Sequence, residues 1–387
     1  MAAVTVRKVE SASELKTFVE FPWTIYKDDP NWVPPLVSQW RTLFDKEKNP
    51  SWEYLQGDYF IAWQGSQPVG TVAGFINPRH NQTWDENVGW FGAFECINDQ
   101  EVANALLNTA ADYVRTRANS SILRGPATFT CNDQQWGLLI DNFSEPVLLM
   151  PYNRPYYQQL IENSGLGLNK VMDLFSFFCD ARRIPIDHAE VLGRYKRVTQ
   201  RSMERHQITL RKPVASKLKQ ELALLRDVYE QAWERNWGNV PPTDHEMDHL
   251  FTDLKDYFDP ELAVFAYVKG ELAGFFFSLP DMNEVLKRAD PNPSTPELIT
   301  LLRALWHWKI RPVMTRQRCL LLGVKPQYRG LGVDVAMFLN YFDQSTNSSY
   351  PLIDAGWVLE TNEALIKLLT GVSAQAYKKY RIYQTAL

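Results

Sequence analysis

Apolar and polar residues alternate around a short turn in two places, FIAWQGSQPVG at 60–70 and VFAYVKGELAG at 264–274. Each predicts a strand, a turn and a second strand, because successive side chains of a strand point to opposite faces. Phe60 and Val264, Ala62 and Ala266, Trp63 and Tyr267, and Gly70 and Gly274 share one offset of 204 residues (264 − 60) without a gap. A duplicated unit follows. The two halves also end alike. Asn153, Gly165 and Leu166 precede the apolar stretch VMDLFSFF, and Asn362, Gly371 and Val372 precede AYKKYRIYQ.

The first half reads as the strand VTVRKVE, a helix opened by a Ser11-x-x-Glu14 capping box, a hairpin from Tyr59 to Asn77, the strand WFGAFECI, a helix from Asp99 to Arg117, the strand SILRGPA and a helix from Arg154 to Asn163. The second begins with QITLRK and a long helix from Ser216 to Asn236. Alternation of this kind predicts an α/β fold of two tandem domains, each a twisted mixed sheet flanked by helices. The boundaries fall at 1–180 and 207–387, with a basic helical connector at 181–206. An insertion at about 282–316 carries ADPNPSTPE, which marks a surface excursion, and then a helix containing Trp306. On the connector Arg194, Arg197, Arg201 and Arg205 share one helix face, as a solvated surface or as a docking strip for an anion.

The stretch LLGVKPQYRGLGVDVAMF, Leu321 to Phe338, joins an apolar strand to an amphipathic helix through a Gly-rich turn. Gly330 and Gly332 let consecutive backbone N–H groups face one point, to which the helix start adds its positive dipole end, so the turn suits a diphosphate. Neither the P-loop spacing nor the dinucleotide G-x-G-x-x-G is present. Val324, Pro326, Arg329, Gly330, Gly332 and Val333 instead resemble the acyl-CoA signature of the GNAT acyltransferase superfamily, and the endings at Asn153 and Asn362 partly resemble that family's closing motif. One position departs, since Asp334 stands where the pattern has Gly or Ala and would repel a pyrophosphate unless it turns outward. The first half lacks the turn. It runs through Asn98-Asp99-Gln100-Glu101 into its helix, with Asn98 and Glu101 read as a capping box, so a degenerate, CoA-free domain is expected there.

The resemblance implies an acyl-CoA-dependent N-acyltransferase, by analogy an acetyltransferase, whose amine substrate attacks the thioester directly in a ternary complex. Gly323 and Val324 would supply oxyanion donors, and Gln327, Tyr328, Arg329, Gly330, Leu331, Gly332, Val333, Asp334 and Asn362 would hold acetyl-CoA or another acyl-CoA. Arg329 would act either through its side chain or through its N–H alone. The family's Tyr acid has no counterpart, because Leu369 occupies its place; Tyr377 and Tyr380, with Tyr383 behind them, are the substitutes. Glu360, at the end of a strand, is either a base acting through water or a helix-leading acid. Asp354 on a buried strand is either functional or salt-bridged. A non-catalytic acyl-CoA sensor and a Fem-like aminoacyl transferase are the competing readings.

A net charge of −4 gives no general pull toward nucleic acid or anionic membranes, without excluding a local basic face, so small molecules are the expected partners, an amine being what the resemblance implies. Four scattered cysteines without a C-x-x-C pair, and a start lacking an apolar run, fit a reducing cytoplasm. The segment 125–157, with Asn132, Asp133, Trp136, Tyr152, Asn153, Tyr156 and Tyr157, either shapes a pocket or packs. His245-Glu246-Met247-Asp248-His249 matches H-E-x-x-H, but Thr243 three residues before Glu246 assigns that carboxylate to a capping box, and no metal is expected.

Overall fold

A computed structural model of the chain describes residues 3–130, 135–183, 185–232, 236–255 and 257–387. It divides into two compact units that are not consecutive halves. The first comprises Met1–Leu174, Val285–Pro312 and Lys378–Leu387, and the second Phe175–Glu284 and Val313–Tyr377. The expected cuts at 180 and 207 are thereby corrected, because the strand from Lys378 onward completes the first unit's sheet and the insertion packs with that unit.

In the first unit the strands run in the order Val4–Lys8, Gln56–Gln64, Gln67–Ile76, Val88–Cys96, Ile122–Gly125 and the closing strand, where Tyr383 pairs with Gly125 and Ala386 with Ile122. The helix Ala12–Ile25 starts on the expected box, with Glu14 N–H on Ser11 Oγ at 3.2 Å and Ser11 N–H on the Glu14 carboxylate at 3.1 Å. Gln100–Ala118 buries Val102, Ala103, Leu106, Leu107, Ala110, Ala111 and Val114, one face of a helix laid on the sheet. Its cap is Asp99 rather than Asn98: the Asp99 carboxylate accepts from Glu101 N–H at 2.8 Å and Val102 N–H at 3.3 Å.

The aromatic segment belongs to this core. Tyr157 and Trp136 are buried, Asn153 bridges both backbone groups of Leu139, Tyr152 donates to Asp29, and Tyr156 donates to the Cys96 carbonyl. Asn132 and Asp133 lie outside the described residues. Glu95, 6% exposed, accepts from Tyr157 at 2.6 Å and Tyr26 at 2.8 Å. Burial raises its pKa from 4.5 to about 7, and the two hydroxyl donors oppose that rise only in part. Between those values the folded chain keeps a proton that the unfolded chain releases, so stability falls as pH climbs from 4.5 to about 7. Glu95→Gln removes the ionisation. Relative to wild type its melting temperature should gain as pH goes from about 5 to about 8, by the equivalent of roughly 3 kcal/mol at most. Parallel melting curves of the two proteins across that range would rule this out.

The second unit repeats the hairpin. Ala266 faces Gly274 as Ala62 faces Gly70, and both ladders slip at the next residue, Tyr267 in one and Trp63 in the other. The shared bulge is strong support for duplication, because a bulge is a local feature that a chance echo of apolar residues need not reproduce. Strand order here is Ile208–Arg211, Ala263–Val268, Glu271–Pro280, Arg316–Val324, Leu352–Leu359 and the strand Asn169–Asp180, which enters this unit at Phe175. The helix Val333–Ser345 packs Val333, Met337, Phe338 and Tyr341 into a core with Val264, Phe276, Ile353 and Leu369. The connector forms the helix Ile186–His206, and the expected helix Ser216–Asn236 is described over Leu218–Ala232, with Ala215–Lys217 in a 3-10 turn before it and 233–235 outside the described residues. Glu246 is committed to its cap, accepting from Thr243 N–H at 2.7 Å while its own N–H donates to Thr243 Oγ1 at 3.1 Å.

Candidate functional site

The strand Arg316–Val324 pairs antiparallel with Glu271–Pro280 as far as Val324, with an irregularity that leaves Leu320 without a partner residue. Its other edge behaves differently. Parallel pairing to Leu352–Leu359 covers only Arg316 to Cys319 against Leu352 to Ala355. Beyond that point both strands continue, one to Val324 and the other to Leu359, with no ladder between them. A bulge bends and twists the strand that carries it, and the bend here coincides with the parting of the two strands. Gly323 and Val324 stand on the parted stretch, where main-chain groups lack a sheet partner on that side.

The turn after Val324 is braced from outside. Lys325 N–H donates to the Ala273 carbonyl at 2.8 Å, and Lys325 Nζ pairs with Asp227 at 2.6 Å. Tyr328 OH donates to Glu271. Arg329 donates to the carbonyls of Val324 at 3.3 Å and Ala232 at 2.8 Å, and Ser202 of the connector helix donates to the Leu331 carbonyl at 2.7 Å. The N–H groups of Tyr328 and Arg329 close a single helical turn on Lys325 and Pro326. The amides of Tyr328 and Arg329 are thus occupied, and the Arg329 guanidinium spends two of its five N–H donors on main-chain carbonyls.

The next five residues are another matter. Gly330 and Gly332 adopt φ of 77° and 78°, the left-handed region open to glycine, and the helix Val333–Ser345 begins at Gly332 with no side-chain cap. Among the described residues, the N–H groups of Gly330, Leu331, Gly332, Val333 and Asp334 have no hydrogen-bond partner. A Cβ added at Gly330 would meet nothing within 4 Å. The same point of the first unit is self-satisfied by Asp99, so one half keeps its helix N-terminus open and the other closes it. Asp334 lies in the first turn, partly exposed. There its charge favours the helix dipole and disfavours an incoming anion.

Within the paired stretch, just before the strands part, two charged side chains face each other. Ile353 and Ala355 face the core beneath Val333–Ser345, so Asp354 between them faces the other side of the sheet. It is 1% exposed, lies directly across from Arg318, and accepts a hydrogen bond from Tyr377 OH at 2.5 Å. Arg318, also buried, donates through Nε to the Gly356 carbonyl at 3.0 Å. Glu360 follows this strand in a turn, half-buried. Asn362 caps the helix Glu363–Gly371 by accepting from Leu365 N–H at 3.2 Å, which ties its carbonyl oxygen to a structural task. Tyr380 belongs to the first unit, where it is buried and in register with Leu139.

Sequence reasoning missed the Tyr377–Asp354 bond. Alternation in LIDAGWVL puts Asp354 on the face opposite Ile353, but nothing in the spacing of 23 residues signals that Tyr377 meets it. Burial pushes the Cys179 thiol up to about 12 and those of Cys96 and Cys319 further, so none of these three is a nucleophile. Cys131 lies outside the described residues.

No protein-family model matches the chain. It is 29% identical to Protein YghO of Escherichia coli over 98% of its own length and 94% of that protein. It is likewise 29% identical to a bacterial ceramide synthase of Caulobacter vibrioides, over 100% of this chain and 98% of that one. Among solved structures it is similar to a tandem GNAT protein from the clavulanic acid biosynthesis pathway, with a TM-score of 0.54 at 9% identity over 99% of this chain and 98% of the other. The architecture is that of the tandem GNAT proteins.

Proposed function

We propose that this tandem GNAT fold catalyses acyl transfer from an acyl-CoA to the amine of a small molecule, by direct attack in a ternary complex. The observation that carries the reading is the row of five unpartnered amides, Gly330 to Asp334, at an uncapped helix start beside two strands that part. Five unpartnered donors in a row at a helix start suit a diphosphate better than a neutral group. The parted strand edge near Gly323 and Val324 has the form needed to admit a thioester and to give an N–H to its carbonyl oxygen as charge develops there. The amine nitrogen attacks the carbonyl carbon, the C–S bond breaks, and the thiolate takes up a proton.

Proton handling falls to the polar cluster. Tyr377 and Asp354 form one hydrogen-bonded unit, with the carboxylate as the final acceptor of the amine's proton and the hydroxyl as relay; Glu360 at the strand end serves as a base through water. Tyr377 gives its own proton to the thiolate, the work of the tyrosine that Leu369 replaces, and recovers one from Asp354. As to the acceptor, the name of the Caulobacter relative points to a long-chain amino alcohol, because a ceramide is the N-acyl derivative of one.

A panel of acyl-CoAs from acetyl to long-chain, each with and without a sphingoid base or a short amine, tests the reading by free-thiol release and mass detection of the amide. Thiol release that requires the amine is expected. Tight acyl-CoA binding with no amine-dependent release would favour the sensor reading, which the lost tyrosine position and Asp334 both suit.

A further inference from the structure

The insertion in the second half of the sequence carries an inverted helix. Glu297–Leu305 buries a polar residue, Thr300, and turns its leucines outward. Leu298 is 68% exposed, Leu302 59% and Ile310 65%, with Ile299, Leu301, Leu305 and Trp306 also exposed. Of the ten exposed large apolar side chains among the described residues, seven fall between Leu298 and Ile310. Single exposed leucines are ordinary on a protein surface, but a contiguous set of this size marks an interaction surface.

The outward face is not the product of a loosely held segment. Trp23 Nε1 donates to the Pro291 carbonyl at 2.8 Å, Ser38 donates to Glu297, and Lys287 binds the Pro30 carbonyl and Glu145. Polar contacts thus hold the inner side of the excursion and fix which face looks out. At nine residues the helix is about 14 Å long, too short to cross a bilayer, and none of the described helices is long and apolar enough to do so.

Charge identifies the occupant. From Leu298 to Thr315 there is no acidic residue, while Arg303, Lys309 and Arg311 are all exposed. The stretch is locally cationic in a chain of net charge −4. Trp306 and Trp308 add the amphipathic rings that favour the headgroup level, and Lys309 lies over the Trp308 ring at 3.9 Å. Leucines facing outward, tryptophans beside them and cations at the rim make the pattern of a helix lying in the plane of an anionic lipid surface. A second copy docking face to face would set each set of three cations against its twin, which argues against a dimer as the occupant.

We infer that Glu297–Ile310 docks on the surface of an anionic bilayer, with Leu298, Leu302, Trp306 and Ile310 entering the acyl boundary. This departs from the expectation of no membrane partner drawn from net charge, since a local patch outweighs a small overall charge at distances within a Debye length. It stands independently of the acyl-transfer reading, although a bilayer is where a long-chain amine would be found.

The test is co-sedimentation with vesicles of phosphatidylcholine alone and of phosphatidylcholine mixed with phosphatidylglycerol, at low and high salt. The wild-type chain should partition at least tenfold more strongly onto the mixed vesicles at low salt. Leu298→Glu with Leu302→Glu should lose that binding at least tenfold, and Lys309→Glu with Arg311→Glu should bring it down to the phosphatidylcholine level. Both variants alter exposed side chains, so unchanged melting temperatures are expected and serve as the folding control. Wild type remaining in the supernatant with both vesicles overturns the inference. So does a dimer in light scattering that the leucine pair dissociates while no vesicle binding is seen.

Discussion

Gly330→Trp is expected to abolish the thermal stabilisation that acyl-CoA gives the wild-type chain. Ligand at about a hundred times its Kd stabilises a protein by about 2.7 kcal/mol, which for units of this size is a rise of several degrees in melting temperature. A Cβ added at Gly330 meets nothing within 4 Å, so the first atom of the new side chain is accommodated, and the indole beyond it is expected to obstruct the neighbouring open amides. The positive φ of 77° adds a strain of about 1–2 kcal/mol that lowers the melting temperature of the free variant without touching the argument, because the readout is the shift on adding ligand. Asp334→Ala should move the other way. Removing a carboxylate from the first turn relieves repulsion of the diphosphate, for a roughly fivefold gain in affinity, while the free helix loses the favourable dipole contact of about 0.3–1 kcal/mol. Equal ligand-induced shifts in wild type and Gly330→Trp would place the acyl-CoA elsewhere, whatever the turnover assay shows.

The second large effect is expected at the buried pair. Asp354→Asn keeps the shape of the side chain and an acceptor for the Tyr377 hydroxyl, yet it removes the charge that would receive the proton. A fall in kcat of about 10²–10⁴ is expected, with KM for acyl-CoA little changed and the basic limb of the pH profile altered. Tyr377→Phe should fall comparably, and the double variant should be no slower than the worse single one, because two members of one proton path are not additive. Melting temperatures of the three variants separate this from a structural role. If kcat tracks the loss of folded protein and the pH profile stays put, the bond merely holds the strands together.

Several elements were legible without coordinates, and each rested on chemistry confined to a few neighbouring residues. Ser11 with Glu14 and Thr243 with Glu246 announce their helices because the capping groups lie three residues apart on the chain. The pattern of Ala62 and Gly70, repeated at Ala266 and Gly274, announces both hairpins, while their common bulge came only with the strand pairing. The turn at Gly330 and Gly332 could be read as an open anion cradle, and the acidic start at Asp99 as a closed one, although the capping residue there proved to be one position on from Asn98.

Other features depended on which strands lie side by side, and that is settled by burial across the whole sheet rather than by any local stretch. That the Arg329 guanidinium also braces the carbonyls of Ala232 and Val324 could not be read from the turn itself. The two units interleave along the chain, with the last ten residues in the first unit, because a strand pairs with whatever edge its apolar faces complete.

By itself, the sequence determined the repeated α/β pattern, the capped helix starts and the glycine turn, since these follow from alternation, propensity and backbone sterics acting over short distances. Only the tertiary structure decided that Tyr377 meets Asp354 and that the leucines at 298 and 302 face outward. Contacts between residues far apart in the chain exist only once the sheet has formed, and a periodic pattern of leucines looks the same whether its partner is a core or a lipid.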